Sequence, residues 1–160
     1  MRKLAALVAF ALAATALSLA IVGSSGAIEH ETVLRFVWEK VDETGYDIDG
    51  DHGLTPGDGW VSNSILKKHG EVVGKTVENC QYITVRADGM GGTLQCVGTV
   101  KLDDGQITYQ LRLVVVEGTL PHMAAAVTGG TGAYANARGV VTGEMDEATG
   151  TVWVILRLLP

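Results

Sequence analysis

Proline, aromatic residues and charged runs are scarce in this chain of 160 residues. It contains three prolines, 6% aromatic and 19% charged residues, and no long run of one sign. This composition excludes the disordered and collagen-like classes. The net charge of −6 argues against a nucleic-acid partner, because a phosphate backbone requires a basic surface.

The first 27 residues have the pattern of a secretory signal peptide. Arg2 and Lys3 precede an apolar run from Leu4 to Val22, and small residues follow up to Ala27. The pattern predicts cleavage after Ala27 and a secreted single domain, residues 28–160, with no membrane partner. The alternative is an uncleaved anchor, since the apolar run is near the lower length limit for a membrane span.

The two cysteines, Cys80 and Cys96, lie in the predicted mature domain, and outside the cytosol such a pair is usually oxidised. The strand-like segments that carry them are separated by ADGMGG, residues 87–92, which is rich in turn-forming residues. A hairpin centred near Asp88 places the two cysteines across from each other and predicts a cross-strand disulfide. The alternative is two reduced thiols buried as small hydrophobic groups.

The predicted mature domain consists of short strands separated by turns, and no segment shows a helical stripe of useful length. Turn signals recur at regular intervals, as at Asp104-Gly105 and Thr149-Gly150. This pattern predicts an antiparallel sandwich or barrel, and a closed barrel leaves no open edge. The predicted strands are Thr32–Val41, Trp60–Leu66, Cys80–Val85, Leu94–Val100, Ile107–Val116, Met123–Val127, Gly139–Met145 and Thr151–Leu158.

The stretch VTGGTG, Val127–Gly132, looks like the phosphate-binding turn of a dinucleotide-binding enzyme. That turn must be followed by a helix and a further parallel strand. Here Tyr134–Gly139 is a poor helix, and only a strand hairpin remains after it. We therefore expect no nucleotide cofactor and interpret the glycines as a tight connection between strands, with Tyr134 packed over one end of the barrel.

The segment DIDGDHGLTPGD, Asp47–Asp58, places aspartates at positions 1, 3, 5 and 12 of a calcium loop. His52 stands where that loop requires glycine, position 12 lacks the usual glutamate, and no helices flank the segment. We therefore expect no metal site and interpret the segment as a flexible acidic loop at a barrel rim, with calcium binding as the alternative.

The string AVTGGTGAYANARGVV, residues 126–141, resembles the late glycine loop of the allene oxide cyclase and dirigent-protein superfamily. Asn63–Cys80 resembles the asparagine-to-cysteine stretch of the cyclases, and VWEKVDETG, residues 37–45, resembles their first strand. The similarity extends over most of Val33–Leu158. It implies an all-β fold, an eight-stranded antiparallel barrel of the lipocalin-like (calycin) type, which in this superfamily is often a homo-oligomer, a dimer or trimer.

The same resemblance implies that a small apolar substrate binds inside the barrel. In the cyclases a glutamate among apolar walls stabilises positive charge and an asparagine helps to hold a water molecule; the matching positions are Glu39, Asn63 and Cys80. A carboxylate beside a low-dielectric cavity acts strongly on nearby charge. The predicted catalytic residues are Glu39 and Asn63, and the predicted substrate-binding residues are Arg35, Val37, Val41, Cys80, Tyr109 and Tyr134.

Strand alternation leaves the direction of Glu39 open. Glu39 shares one face of its strand with Arg35, Val37 and Val41. If this face lines the barrel, Arg35 and Glu39 are both interior and pair with each other. In the alternative, the face of Phe36 and Trp38 points inward, and Glu39 is a solvated surface charge.

The chain also departs from the cyclases. No serine-proline pair follows the first strand, Val41 replaces a second polar residue, and a bonded Cys80 is not a free thiol. The expected function is a cofactor-independent cyclase or isomerase that directs ring closure. The alternatives are a non-catalytic lipophilic binder or dirigent-type guide, and a barrel filled with side chains. An interior carboxylate beside an open cavity favours catalysis, and an all-apolar cavity favours binding alone. A barrel packed with side chains favours the third possibility, in which there is no room for a ligand.

Overall fold

A computed structural model describes residues 31–116 and 123–160, and these residues form eight β-strands. The predicted signal peptide, residues 1–27, lies outside the described residues. Within the described residues no helix is long and apolar enough to cross a membrane. The strands are β1 (Thr32–Tyr46), β2 (Gly59–Lys68), β3 (Glu71–Val85), β4 (Gly91–Leu102), β5 (Gly105–Val116), β6 (Met123–Gly132), β7 (Arg138–Asp146) and β8 (Thr151–Leu159).

The strands form a closed barrel in which each strand is antiparallel to its neighbours. They follow one another around the barrel in chain order, and β1 pairs with β8 to close it. The predicted eight-stranded antiparallel barrel is therefore confirmed. A barrel of eight strands has an interior just wide enough to be filled by side chains or to hold one small ligand.

The cross-strand disulfide is present. Cys80 of β3 lies directly opposite Cys96 of β4, and their sulfur atoms are bonded. Both residues are buried, each with 1% of its surface exposed. Because the bond joins neighbouring strands on the interior face, it also defines which side chains of β3 point into the barrel.

Alternation along β1 settles which face is interior. Leu34, Phe36 and Trp38 pack in or against the core, whereas Val33 and Arg35 are exposed. The aromatic and branched side chains of the first group remove more apolar surface from water than the valines of the second group would. The face that carries Glu39 therefore lies outside, and the prediction that it lines the barrel is wrong.

The glycine loop forms a tight connection between β6 and β7, as predicted. Gly132 has a φ of 63°, and a Cβ added there would lie 2.2 Å from the carbonyl oxygen of Asp104. Tyr134 in the turn packs against the core at this end of the barrel. The interior here is filled by a layer of buried apolar side chains: Phe36, Leu66, Leu102, Ile107 and Leu156.

Candidate functional site

A cavity of about 240 Å³ lies inside the barrel beyond this filled layer. Trp38 of β1, Trp60 of β2 and Tyr109 of β5 contribute aromatic surface to it. Lys40 and Glu43 also line it, and their charged groups are 3.6 Å apart and about half exposed. The barrel is therefore neither solid nor entirely apolar inside.

The two sides of the cavity differ in polarity. Strands β6 to β8 contribute an apolar wall, whereas β2 and β3 contribute a polar wall of Ser62, Thr76 and Glu78. The alternating pattern of both strands places these side chains on the interior face, level with one another across the ladder. The residues of β6 to β8 that line the cavity are mainly apolar: Met123, Ala125, Val141, Thr142, Gly143, Val152 and Val154.

Glu78 is an interior carboxylate. The hydroxyl of Tyr109 donates a hydrogen bond to its Oε2 atom over 2.9 Å. Burial raises the pKa of the Glu78 carboxyl above its usual value, and the hydrogen bond from Tyr109 offsets this only in part. A carboxyl group that holds its proton more tightly than usual, at the wall of a cavity, is a candidate general acid–base group.

The disulfide lies directly beside this carboxylate. The Sγ atom of Cys80 is 3.4 Å from the Oε1 atom of Glu78. A disulfide sulfur carries no proton, so this is a packing contact and not a hydrogen bond. Glu78, Cys80 and Cys96 bring potential metal ligands within 4.8 Å of one another, but the disulfide removes both thiolates from that role.

Tyr109 owes its position to a glycine on the neighbouring strand. Gly98 lies opposite Tyr109 in the β4–β5 ladder. A Cβ added to Gly98 would lie 2.2 Å from the tyrosine ring, so the ring occupies the space that a side chain would need. Burial, together with the negative charge of Glu78, raises the pKa of Tyr109 far above its ordinary value. Tyr109 therefore remains a neutral hydrogen-bond donor.

The raised pKa of Glu78 predicts how the stability of the barrel depends on pH. The folded chain holds this proton more tightly than the unfolded chain, so the stabilisation is complete below the ordinary pKa of 4.5 and is lost as the pH rises through the folded value. Glu78→Gln should remove this loss. We therefore expect the unfolding midpoint of the variant, relative to that of the wild type, to increase as the pH rises above the ordinary pKa of 4.5.

Urea unfolding across this pH range measures the difference between the two proteins. Glu39→Gln is the matched control, because Glu39 is exposed on the outer face, and its difference from the wild type should vary much less with pH. A Glu78→Gln curve parallel to that of the wild type would contradict the interior placement of the carboxyl.

The predicted catalytic pair lies on the outer face of the barrel. Glu39 forms an ion pair with Lys67 over 2.5 Å, and 54% of its side chain is exposed. The amide of Asn63 donates to the carboxylate of Asp42 over 2.6 Å in an exposed hydrogen bond. The structure thus brings neither residue into the cavity, because Trp38 of β1 and Ser62 of β2 lie on the interior faces of these strands.

The predicted substrate-binding residues are divided between three places. The guanidinium of Arg35 lies 4.3 Å from the ring centre of Trp153 instead of pairing with Glu39, and neither Val37 nor Val41 lines the cavity. Val41 is 60% exposed at an irregularity of β1. Tyr134 lies in the β6–β7 turn, away from the cavity. Tyr109 lines the cavity, whereas Cys80 is buried beside Glu78 and is not among the lining residues.

Sequence reasoning missed Glu78, Thr76 and the two tryptophans. The sequence did contain a signal for Glu78 and Thr76. Thr76 and Glu78 precede Cys80 by four and two positions, so in an extended strand all three share one face. A disulfide between hairpin strands of a small barrel is well placed to be interior, which would have put Glu78 inside as well.

The acidic segment Asp47–Asp58 is held by its own hydrogen bonds. Asp58, 4% exposed, accepts from the amides of Ile48 and Thr55 over 3.0 and 2.7 Å. These bonds lower the pKa of Asp58. Asp47 in turn accepts from the amide of Gly50 over 2.6 Å. Backbone capping holds these aspartates in place. Asp47, Asp49 and Asp58 also bring carboxylate oxygens within 4.8 Å of one another, so calcium binding at this segment stays an alternative prediction.

The comparisons with known proteins agree with this architecture. A family model described as the allene oxide cyclase barrel like domain matches residues 38–152. Among curated protein sequences none matches the chain significantly. A solved structure described as pyocyanin demethylase is 28% identical with a TM-score of 0.65, and the match covers 79% of this chain and 99% of that one.

Two further solved structures are more distant in sequence and show the fold alone. A pterocarpan synthase dirigent protein is 20% identical with a TM-score of 0.56, over 82% of this chain and 89% of that one. A Diels–Alderase from Streptomyces koyangensis is 14% identical with a TM-score of 0.58, over 84% and 72%. With the family model matching most of the described barrel, the chain belongs to the allene oxide cyclase barrel-like family.

Proposed function

We propose that the barrel binds a small, largely apolar molecule in its cavity and that Glu78 transfers a proton during an isomerisation or ring closure of that molecule. One observation carries this proposal: a half-buried interior carboxyl with a raised pKa, hydrogen-bonded by Tyr109, stands at the wall of an otherwise mainly apolar cavity. The proposed reaction uses no cofactor.

The chemistry follows from the surroundings of Glu78. Its Oε1 atom accepts no hydrogen bond within the described residues, so this oxygen can take a proton from a bound molecule. Tyr109 donates to the other oxygen and can stabilise the ionised carboxyl. Because the cavity is largely apolar, water screens the carboxylate little, and its effect on charge that develops nearby is large.

The apolar wall supplies the second part of the mechanism, which is shape. Met123, Ala125 and the valines of β7 and β8 leave a space of fixed form. A flexible molecule held there in one reactive conformation loses the conformational freedom that slows its reaction in water. Solved structures of this fold include a Diels–Alderase and a pterocarpan synthase dirigent protein, whose names are compatible with such guidance.

Filling the cavity should abolish binding. Ala125 is buried and lines the cavity, so Ala125→Phe places a ring where the ligand would lie. We expect the affinity for the probe 2-naphthol, followed by tryptophan fluorescence, to fall about tenfold or more. Ala126→Phe, at the next and outward-facing position, is the control and should bind as the wild type does. Equal affinity of both variants and the wild type would place the probe elsewhere.

The alternative is a non-catalytic binder of lipophilic molecules. It shares the cavity and predicts the same result for Ala125→Phe. Proton exchange separates the two functions. A protein that only binds should not accelerate exchange of the α protons of a bound ketone, whereas the proposed enzyme should accelerate it through Glu78.

A second candidate function rests on the relative that is described as pyocyanin demethylase, which is 28% identical over 99% of its length. The aromatic surface of Trp38 and Trp60 suits a planar ring system. Demethylation of pyocyanin is tested by incubating it with the chain and following its mass. An unchanged mass would exclude pyocyanin as the substrate.

We further propose that the chain works outside the cytosol. The predicted signal peptide supports this location, and so does the buried disulfide, since such bonds persist mainly in oxidising compartments. Fractionation of expressing cells, with mass analysis of the mature N-terminus, tests both the location and the predicted cleavage after Ala27.

A further inference from the structure

Four polar side chains form a compact patch on the interior faces of β2 and β3. Ser62 lies directly opposite Glu78, and Ser64 lies directly opposite Thr76. Directly opposed residues of an antiparallel pair have their Cβ atoms about 5 Å apart, so the four side chains are mutual neighbours. All three hydroxyl residues are buried, with 3% to 7% of their surface exposed. We name these four residues the hydroxyl patch.

The hydroxyl patch has unused hydrogen-bonding capacity. The Oγ atom of Ser64 is fully buried and has no partner within the described residues. Ser62 and Thr76 line the cavity, so their hydroxyls can meet a ligand, whereas Ser64 does not line it. The Oε1 atom of Glu78 has no hydrogen-bond donor within the described residues and lies 3.4 Å from the aprotic sulfur of Cys80. Buried polar groups nearly always have partners, and each one left without destabilises the fold.

Packing alone does not account for these residues. The opposite wall of the same cavity carries mainly valine, alanine and methionine, with Thr142 as its one hydroxyl side chain. Thr76 has the shape of valine, so a valine there would fill the same space without burying a hydroxyl. A hydroxyl at that position is useful if something in the cavity binds to it.

We propose that the ligand of this cavity carries oxygen substituents along one edge, as in a phenol or ketone, and that this edge binds to the hydroxyl patch while its apolar face lies against β6–β8. This inference rests on the proposed function, because it requires that the cavity holds a ligand. It changes the expected substrate from a wholly apolar molecule to one with a polar and an apolar side. Trp38 and Trp60 contact its rings.

The orientation has a chemical consequence. An oxygen bound at Ser62 or Thr76 lies next to Glu78. Ser62 faces Glu78 from the opposing strand, and Thr76 lies two positions before Glu78 on the same strand. The carbon atoms adjacent to a carbonyl group are those from which a base removes a proton most readily. Binding the oxygen edge at the hydroxyl patch therefore brings an acidic carbon of the ligand within reach of the carboxyl.

Two isosteric probes test the proposal. In 2-naphthol a hydroxyl replaces the methyl group of 2-methylnaphthalene, so the ratio of their dissociation constants reports recognition of oxygen. We expect Thr76→Val to reduce the preference for 2-naphthol about fivefold relative to the wild type, as the loss of one hydrogen bond implies. Ser62→Ala should shift the ratio in the same direction. Thr99→Val, which makes the same exchange outside the cavity on β4, is the control and should leave the ratio unchanged.

The outcomes distinguish this inference from the proposed function. If both probes bind to the wild type and neither Thr76→Val nor Ser62→Ala changes their ratio, the hydroxyl patch does not recognise oxygen, although the cavity still binds ligands. If neither probe binds to the wild type, Ala125→Phe cannot lower the affinity any further. The proposed ligand cavity itself is then contradicted. A ratio that falls in both variants and not in the control supports the inference.

Discussion

Glu78→Gln is expected to slow proton exchange of a bound ketone by at least about 100-fold, the lower end of the range for the loss of a general acid–base group. The substitution keeps the size of the side chain and its contact with Tyr109, and removes only the ability to take up a proton. The measurement is deuterium exchange at the α carbons of 2-tetralone in D2O, followed by NMR. Binding of the ketone should change little.

The matched control for this experiment is Glu39→Gln. It makes the same chemical change in the same barrel, on a carboxylate that pairs with Lys67 on the outer face. We expect this variant to exchange at the wild-type rate. If Glu78→Gln keeps full activity while Glu39→Gln loses it, the carboxylate implied by the family resemblance is the reactive one, and the assignment to Glu78 is contradicted.

Replacing Cys80 and Cys96 together with alanine is expected to lower the free energy of unfolding by about 3 kcal/mol, the value for a closed loop of about 15 residues. The two residues are 16 positions apart in sequence. The disulfide restricts the unfolded chain, and both sulfurs are buried, so their removal also leaves unfilled space in the interior. Urea unfolding measures the difference.

Reduction of the wild type supplies an independent control for the double variant. Reduced wild-type protein retains both sulfur atoms but loses the cross-link, so its stability should lie between those of the oxidised protein and the variant. A variant within about 1 kcal/mol of the oxidised wild type would show that the bond contributes little to this fold. Such a result would also mean that the position of Glu78 beside the bond does not matter for the stability of the fold.

The strands could be predicted well from the sequence because hydrophobic alternation and turn signals are local. All eight predicted segments coincide with strands, but most strands extend further; β3 begins at Glu71 instead of Cys80. The missed part, EVVGKTVEN, contains glycine, lysine and glutamates, which are poor strand formers taken alone. Pairing with both β2 and β4 holds it extended nonetheless.

The candidate site could be predicted only in part, because alternation gives two faces without saying which is interior. For β1 the two faces carry valines in one case and Phe36 and Trp38 in the other, and closure of the barrel selects the aromatic face. The family resemblance pointed to a carboxylate inside a barrel. The interior carboxylate of this chain, however, is on β3, where the disulfide indicates the face.

Titration of the Glu78 carboxyl is the most direct test of the account. Carbon-13 NMR of chain labelled at its glutamate carboxyl groups, with Glu78→Gln for assignment, measures this pKa with and without 2-naphthol. We expect a pKa above the ordinary value of 4.5 in the free protein and a further change when the probe binds. A carboxyl that titrates at its ordinary value and does not respond to the probe would contradict an interior acid–base group in a ligand cavity.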